Sequence, residues 1–275
     1  MTNIWYAMRN SSSCYPMADT RLQPEDRDYV GALASGLTVL QAFDSEHARM
    51  TLTEVAKVTG MDRAKARRFL LTLHALDYLR KEGRYFTLAP KVLNLGQAYQ
   101  ASNPYRAVIQ RHLESITDEL GESSSLAVLD GQDVVYEIRS AARHRLMAIT
   151  LAVGTRLPAA YSSMGRVLLA QMPSAELEEW LADWQPEAHT QNAITNVSAL
   201  RQAIDKVRTE GFAMVDQELD LGLRSIAVPV FSASGVLLGA INVSTNAARV
   251  DHHTLLGKYL PRLKKTAEAI KKASQ

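Results

Sequence analysis

The chain has 275 residues, 47% of them hydrophobic and 22% charged, with 31 Lys+Arg against 29 Asp+Glu for a formal net charge of +2. This is the composition of an ordinary globular protein with length for two domains. No apolar run approaches the roughly 20 residues that span a bilayer. The single cysteine, Cys14, excludes a disulfide framework and a thiolate zinc cluster, and fits a reducing cytoplasm.

Residues 1–28 carry Ser, Pro and mixed charge without periodicity, so a disordered N-terminal extension is expected there. They lack the long apolar core of a secretory signal, and translation can start at Met1 or at Met17. In residues 29–43, Leu33, Leu37, Leu40 and Phe43 share one helical face, which either completes a core or pairs with another copy.

Residues 51–88, TLTEVAKVTGMDRAKARRFLLTLHALDYLRKEGRYFTL, read as a winged helix-turn-helix. Thr51 and Glu54 have the spacing of a capping box at the start of a helix. Thr59-Gly60-Met61 breaks that helix, and Asp62 is placed to cap a second one with Ala66, Phe69, Leu70, Leu73 and Leu76 on its buried face. Arg63, Lys65, Arg67 and Arg68 then fall in the first two turns, the part of a recognition helix that reaches base edges in the major groove. Gly83 permits a hairpin turn between basic segments, which forms the wing and presents Lys81 and Arg84.

Charge follows this placement. From Lys57 to Lys91 nine Lys/Arg face three acidic residues, a local excess of six that leaves the remainder of the chain at about −4. A solvated helix face would carry a charge run too, but the helix pair, its basic face and the wing together point to double-stranded DNA. Thr51, Arg63, Lys65, Arg67, Arg68, Lys81 and Arg84 are the candidate DNA contacts, within a domain expected at residues 29–89.

Residues 90–121 read as linker helices. One runs from Pro90 through Val92, Leu93, Leu95 and Tyr99, and a second restarts at Asn103-Pro104 and carries Ile109, Leu113, Ile116 and Leu120 up to Gly121. Residues 122–275 change texture. Strands are expected at 125–129, 134–140, 146–153, 212–217, 223–231 and 236–244, and helices at 162–171, 174–184, 198–210 and from about Asp251. The last helix places Leu256, Tyr259, Leu260, Leu263, Ala267 and Ile270 on one side. Strands at both ends with helices between give an α+β domain with a six-stranded sheet, most simply a sensor.

With these residues in view, the chain resembles the IclR-type transcriptional regulators. The likeness rests on LTEVAKVTGMDRAKARRFLLTL, on GTRLPAAYSSMGRVLLA and on GFAMVDQELDLGLRSIAVPVFSASGVLLGAINVS, and covers roughly residues 30–272. AKARRFLLTL, LNLGQAYQ, GESSSLAVLDGQDVVYEIRSAAR and YSSMGRVLLA are similar to the Pca/Pob subgroup, which regulates aromatic-acid catabolism through the β-ketoadipate pathway. The resemblance implies a homodimer or tetramer binding operator DNA, with RNA polymerase as a further partner if it activates. It also implies a GAF/profilin-like antiparallel effector domain for a small carboxylic acid, with no cofactor and no membrane.

Carried over position by position, the resemblance implies an effector pocket at Leu146, Leu157, Ser163, Met164, Val215 or Asp216, Leu223, Ser225, Asn242 and Ser244. The helix start Ser162-Ser163-Met164-Gly165 supplies free backbone N–H groups and a helix dipole for a carboxylate, with Gly165 allowing close approach. Asn242 and Ser244 share one strand face. Arg139 and Arg143 are further candidates for a carboxylate. Relatives commonly have Thr/Ser-Ala-x-Gly-Lys where this chain has Ser-Ser-Met-Gly-Arg, and an acid where Val215 stands, which leaves the effector open among protocatechuate, 4-hydroxybenzoate, β-ketoadipate and the acids of other pathways. Activation and repression need the same DNA head, so that choice is open as well.

Three rival readings carry less. A hydrolase with Ser163 as nucleophile and His144 or His189 as base lacks a Gly-x-Ser-x-Gly elbow, so no catalytic residue and no enzyme is expected. His252-His253 without a second cluster makes no metal site. A purely architectural DNA role leaves residues 122–275 unexplained.

Overall fold

Helix caps define the first elements. The computed structural model describes residues 22–142 and 151–274, and the chain divides into two units between Ser102 and Asn103. Most of the expected N-terminal extension therefore lies outside the described residues, as do Met1, Cys14 and Met17. Residues 22–28 form turns, with Tyr29 N–H donating to Asp26 O at 3.0 Å.

In the first unit α1 (Gly31–Gln41), α2 (Leu52–Thr59) and α3 (Arg63–Ala75) pack with a small antiparallel sheet of β1 (Met50–Thr51), β2 (Leu79–Glu82) and β3 (Tyr85–Leu88) in the order β1-β3-β2. The capping box is complete: Thr51 Oγ1 accepts from Glu54 N–H at 3.4 Å, and Glu54 Oε2 accepts from Thr51 N–H at 2.7 Å. Asp62 Oδ1 accepts from Lys65 N–H at 2.8 Å and starts α3. Gly83 holds φ +58 at the tip of the wing, a value that favours glycine. Val39, Phe43, Met50, Val55, Leu70, Leu73, Leu79 and Phe86 form the core.

Two expectations of that core change. Leu76 is 51% exposed, because it is already the C-cap of α3 and the chain reverses at Asp77 with φ +63. Of the face expected at residues 29–43, Leu33 and Leu37 are exposed, whereas Leu40 is half-buried and Phe43 buried, with Val39 joining them in the core. A 3-10 turn (Pro90–Val92) and α4 (Leu93–Ala101) end the unit, with no residue of α4 buried.

The second unit begins with α5 (Arg106–Leu120), preceded by a turn in which Tyr105 N–H donates to Asn103 Oδ1. It contains a six-stranded antiparallel sheet of β4 (Ser123–Asp130), β5 (Asp133–Ser140), β6 (Arg156–Pro158), β7 (Ala213–Asp216), β8 (Leu223–Phe231) and β9 (Leu237–Asn246), in the order β6-β5-β4-β9-β8-β7. Residues 146–150 of the strand expected at 146–153 lie outside the described residues, and only its end, residues 151–153, is corrected here: it is not a strand. Val153-Gly154 is a turn, and β6 pairs with β5 only from Arg156, which bridges Asp130 and Asp133.

Strand alternation splits this unit into two cores. Leu126, Ile138, Ile226, Val228, Ile241 and Val243 face one way, against α5 and the C-terminal helix. Ala127, Val134, Tyr136, Ala227 and Ala240 face the other way, against α6 (Ser163–Ala170), α7 (Ser174–Asp183) and α8 (Val197–Glu210). Polar bonds fasten α5 to the sheet: Ser124 Oγ donates to Leu113 O at 2.9 Å, and Thr117 Oγ1 lies 3.0 Å from Ser124 Oγ. At the C-terminus α9 (His252–Thr254) runs through a π turn (Leu255–Tyr259) into α10 (Leu260–Ala273). The π turn shifts the phase of the apolar stripe, so Leu255 is buried and Leu256, expected inside, is 41% exposed.

Replacing Thr51 by Ala removes one half of the capping box and is expected to destabilise the first unit by about 1 kcal/mol. Urea denaturation followed by a probe in that unit checks this, and an unshifted midpoint contradicts it.

Candidate functional site

The basic face of the first unit is built by α3 and the wing. Arg63, Arg67 and Arg68 are exposed on α3 and Lys65 is half-buried, while Ala66 and Leu70 hold the opposite side in the core. On the wing Lys81 and Arg84 are exposed. Lys81 Nζ donates to Gly83 O at 2.7 Å, and Arg84 Nη2 donates to Tyr85 Oη at 3.0 Å. Arg49, absent from the sequence reading, stacks 4.0 Å from the centre of the Tyr85 ring and so extends the cationic surface. Thr51 is committed to its helix cap. Lys91, counted with the basic segment, donates to Leu76 O at 2.9 Å.

In the second unit a narrow cavity, part of it open to solvent, lies between the sheet and the start of α6. Its floor is the cavity-side face of three strands: Val215 from β7, Leu223 and Ser225 from β8, and Asn242 and Ser244 from β9. Leu157, Ser162 and Ser163 complete the expected set. The alternation that places Val215 inside turns Asp216 outward, where it takes both Nε and Nη2 of Arg224 at 2.8 and 2.9 Å and lies 2.8 Å from His252 Nε2.

Met164 and Gly165 do not line the cavity. Met164 is fully buried in the core beneath α6. Gly165 permits a close approach of backbone to backbone rather than of a ligand: a Cβ there would lie 2.1 Å from Ala159 O. Leu146, Arg143 and His144 lie outside the described residues. Arg139 Nη1 donates to Ser125 Oγ at 3.1 Å and does not line the cavity.

Five lining residues escaped the sequence reading: Tyr136, Leu151, Tyr161, Glu218 and Leu219. Tyr136 was reachable, since it shares the face of Val134 on an expected strand. Burial pushes its phenol up to about 12, and burial also raises Tyr161, so both are neutral donors near pH 7. Tyr161 Oη accepts from Glu187 N–H at 2.6 Å, and its ring meets His189 edge-on with centroids 4.7 Å apart.

The polar groups of the cavity are of the kind that hold a ligand. Ser162 Oγ caps α6 by accepting from Gly165 N–H at 2.9 Å, and so meets one of the donors that a helix start leaves without an intrahelical carbonyl. Ser163 Oγ, on a residue 1% exposed, and Asn242 Oδ1, on a residue 3% exposed, are buried without a hydrogen-bond partner among the described residues. Such groups cost free energy until a ligand or water meets them. No base reaches Ser163 Oγ among those residues. Also among them, no group of three or more His, Cys, Asp or Glu is assembled to hold a metal ion.

Two family models match the chain, one described as the IclR helix-turn-helix domain over residues 32–83, the other as bacterial transcriptional regulator IclR C-terminal over residues 97–272. The chain is 43% identical over 238 residues to the Pca regulon regulatory protein of Pseudomonas putida, covering 86% of this chain and 82% of that protein. Its fold is similar to the crystal structure of a transcriptional regulator from a Rhodococcus species, with a TM-score of 0.78 and 43% identity over 90% of this chain and 98% of that one. It is also similar to a double mutant of the inducer-binding domain of the PobR transcription factor from Acinetobacter, in complex with 3-hydroxybenzoic acid. There the TM-score is 0.58 and the identity 30%, over 60% of this chain and 97% of that one.

The Asp216–Arg224 pair yields a pH-dependent expectation. The Arg224 guanidinium holds the Asp216 carboxyl below its ordinary value, so the pair stabilises the fold above the unfolded pKa of about 4 and is lost as pH falls through the folded one. Asp216→Asn is expected to cost about 2 kcal/mol at pH 7, with the difference from wild type closing as the pH drops below about 4. Urea midpoints across pH measure it, and a constant difference contradicts the assignment.

Proposed function

The chain belongs to the IclR family of bacterial transcriptional regulators, and from that premise we propose how its two units divide the work of an effector-responsive switch. It is a DNA-binding regulator of aromatic-acid catabolism, not an enzyme. The first unit binds double-stranded operator DNA, with Arg63, Lys65, Arg67 and Arg68 of α3 at the major groove and Lys81 and Arg84 of the wing on phosphates. The second unit holds a small carboxylic acid, an aromatic acid or its ring-cleavage product, in the cavity at the start of α6. The observation that carries this reading is the pair of buried polar atoms without a partner among the described residues, Ser163 Oγ and Asn242 Oδ1, in one cavity with a helix N-terminus.

The regulator acts as a homodimer, or as a tetramer of such dimers, on an inverted-repeat operator. Exposed apolar side chains on α1 (Leu33 and Leu37) and on α4 (Leu93, Leu95 and Tyr99) support an interface between copies. It works in the cytoplasm, with the DNA that its helix-turn-helix domain binds; among the described residues no helix is long and apolar enough to cross a membrane. If the protein activates, RNA polymerase is its further partner.

Two experiments test the division of labour. Arg67→Ala with Arg68→Ala is expected to weaken operator binding at least about 10-fold and to reduce the salt slope by about two; mobility-shift titrations at several salt concentrations read both, and unchanged affinity sinks the DNA assignment. Ser163→Trp is expected to fill the cavity mouth and abolish the heat of acid binding in calorimetry while thermal unfolding stays cooperative. Normal acid binding in that variant places the site elsewhere.

A further inference from the structure

An acidic side chain in the wall of a cavity that takes an acid is an electrostatic conflict unless something offsets it. Glu218, 8% exposed, is that side chain. Its offset is Arg166, one turn into α6 and 5% exposed, whose Nη2 donates to Glu218 Oε2 at 2.5 Å. Arg166 is anchored on its other side, where Nε donates to Ala160 O at 2.9 Å. The same Glu218 oxygen accepts from Ile194 N–H at 3.3 Å.

The two partners differ in how firmly they are held. Arg166 belongs to a helix whose residues are all buried. Glu218 is carried by the connection 217–222 between β7 and β8, which starts at Gln217 with φ +57 and ends at Gly222 with φ +84. Left-handed backbone at a non-glycine residue is strained. Gln217 Oε1 accepts from Gly222 N–H at 3.0 Å and closes the loop, and Leu221 within it is 62% exposed. Thr190 Oγ1 holds the loop by donating to Gln217 O at 2.6 Å and Glu218 O at 3.2 Å. For Glu218 to leave Arg166, this connection has to move and give up its bonds to Thr190 and Ile194, while Arg166 keeps its anchor on Ala160 O.

We propose that Glu218 is the resident occupant of an acid-binding position whose cation is Arg166: the effector carboxylate takes its place on Arg166, and Glu218 moves out with the connection 217–222. The inference rests on the reading that this cavity holds an acid. Exchange of one carboxylate for another keeps the buried guanidinium paired, so the position selects acids over neutral analogues of the same shape. An effector with two carboxylates can occupy Arg166 and the N-terminus of α6 together. As an intramolecular competitor, Glu218 lowers the apparent affinity by the fraction of time that it holds Arg166.

Calorimetry on the full chain tests this with protocatechuate, 4-hydroxybenzoate and β-ketoadipate, and then with the amide of whichever acid binds best. Glu218→Gln is expected to tighten the acid about 10-fold and leave the amide within about twofold. Arg166→Gln combined with Glu218→Gln is expected to erase the preference for acid over amide. A Glu218→Gln protein that unfolds cooperatively only when acid is present also supports the proposal, because the ligand then supplies the missing counter-charge. Weaker acid binding in Glu218→Gln, or an equal shift for acid and amide, overturns it. If that variant is unfolded even with acid, the double variant decides, and a wild-type acid preference there overturns the proposal. Acids that bind wild type with a preference neither variant alters defeat this inference alone; no binding of any acid to wild type defeats the effector reading as well.

Discussion

The close approach of α6 to the turn before it is the contact on which the second unit depends. It exists because residue 165 has no side chain: any Cβ would meet the backbone of Ala159. Small residues beneath it, Ala127, Ala227 and Ala240, let the same helix settle against the sheet. Once the helix is seated there, its capping Ser162 and its first residue, Ser163, line the cavity. The cavity is thus a consequence of backbone packing, and its polarity follows from which end of the helix the packing exposes.

Much of this was legible in residue types at fixed spacing. Thr51 with Glu54, Asp62 and Ser162 announce helix starts by local hydrogen bonding, and local chemistry survives folding unchanged. Alternation on β8 and β9 likewise separates Ser225, Asn242 and Ser244 from Ile226, Ile241 and Val243 without reference to the rest of the chain. What the sequence hid depends on position in space. Nothing local distinguishes Glu218 from an exposed loop acid; its partner is far away in the chain, on α6. Gly165 was assigned to the ligand because the residue it approaches, Ala159, is revealed only by the fold. Leu256 was misplaced because a π turn breaks the period on which the stripe was drawn.

The electrostatics of the two units have opposite logic. On α3 and the wing the cations other than half-buried Lys65 are exposed, which suits a polyanion whose binding releases counterions. Among the described lining residues of the cavity the charged one, Glu218, is met by Arg166, and Asp216 points outward to Arg224 and His252. A buried site of that kind responds to a single added carboxylate, because low dielectric magnifies the change.

An effector-responsive regulator requires these two sites to share a free energy. By linkage, an acid that alters operator affinity must have its own affinity altered by DNA through the same factor. The most direct test titrates a labelled operator duplex with the protein in the absence and in the saturating presence of the best-binding acid, and titrates the acid with and without duplex. The account predicts two equal, non-unit ratios. Operator affinity that is identical with and without bound acid would contradict it.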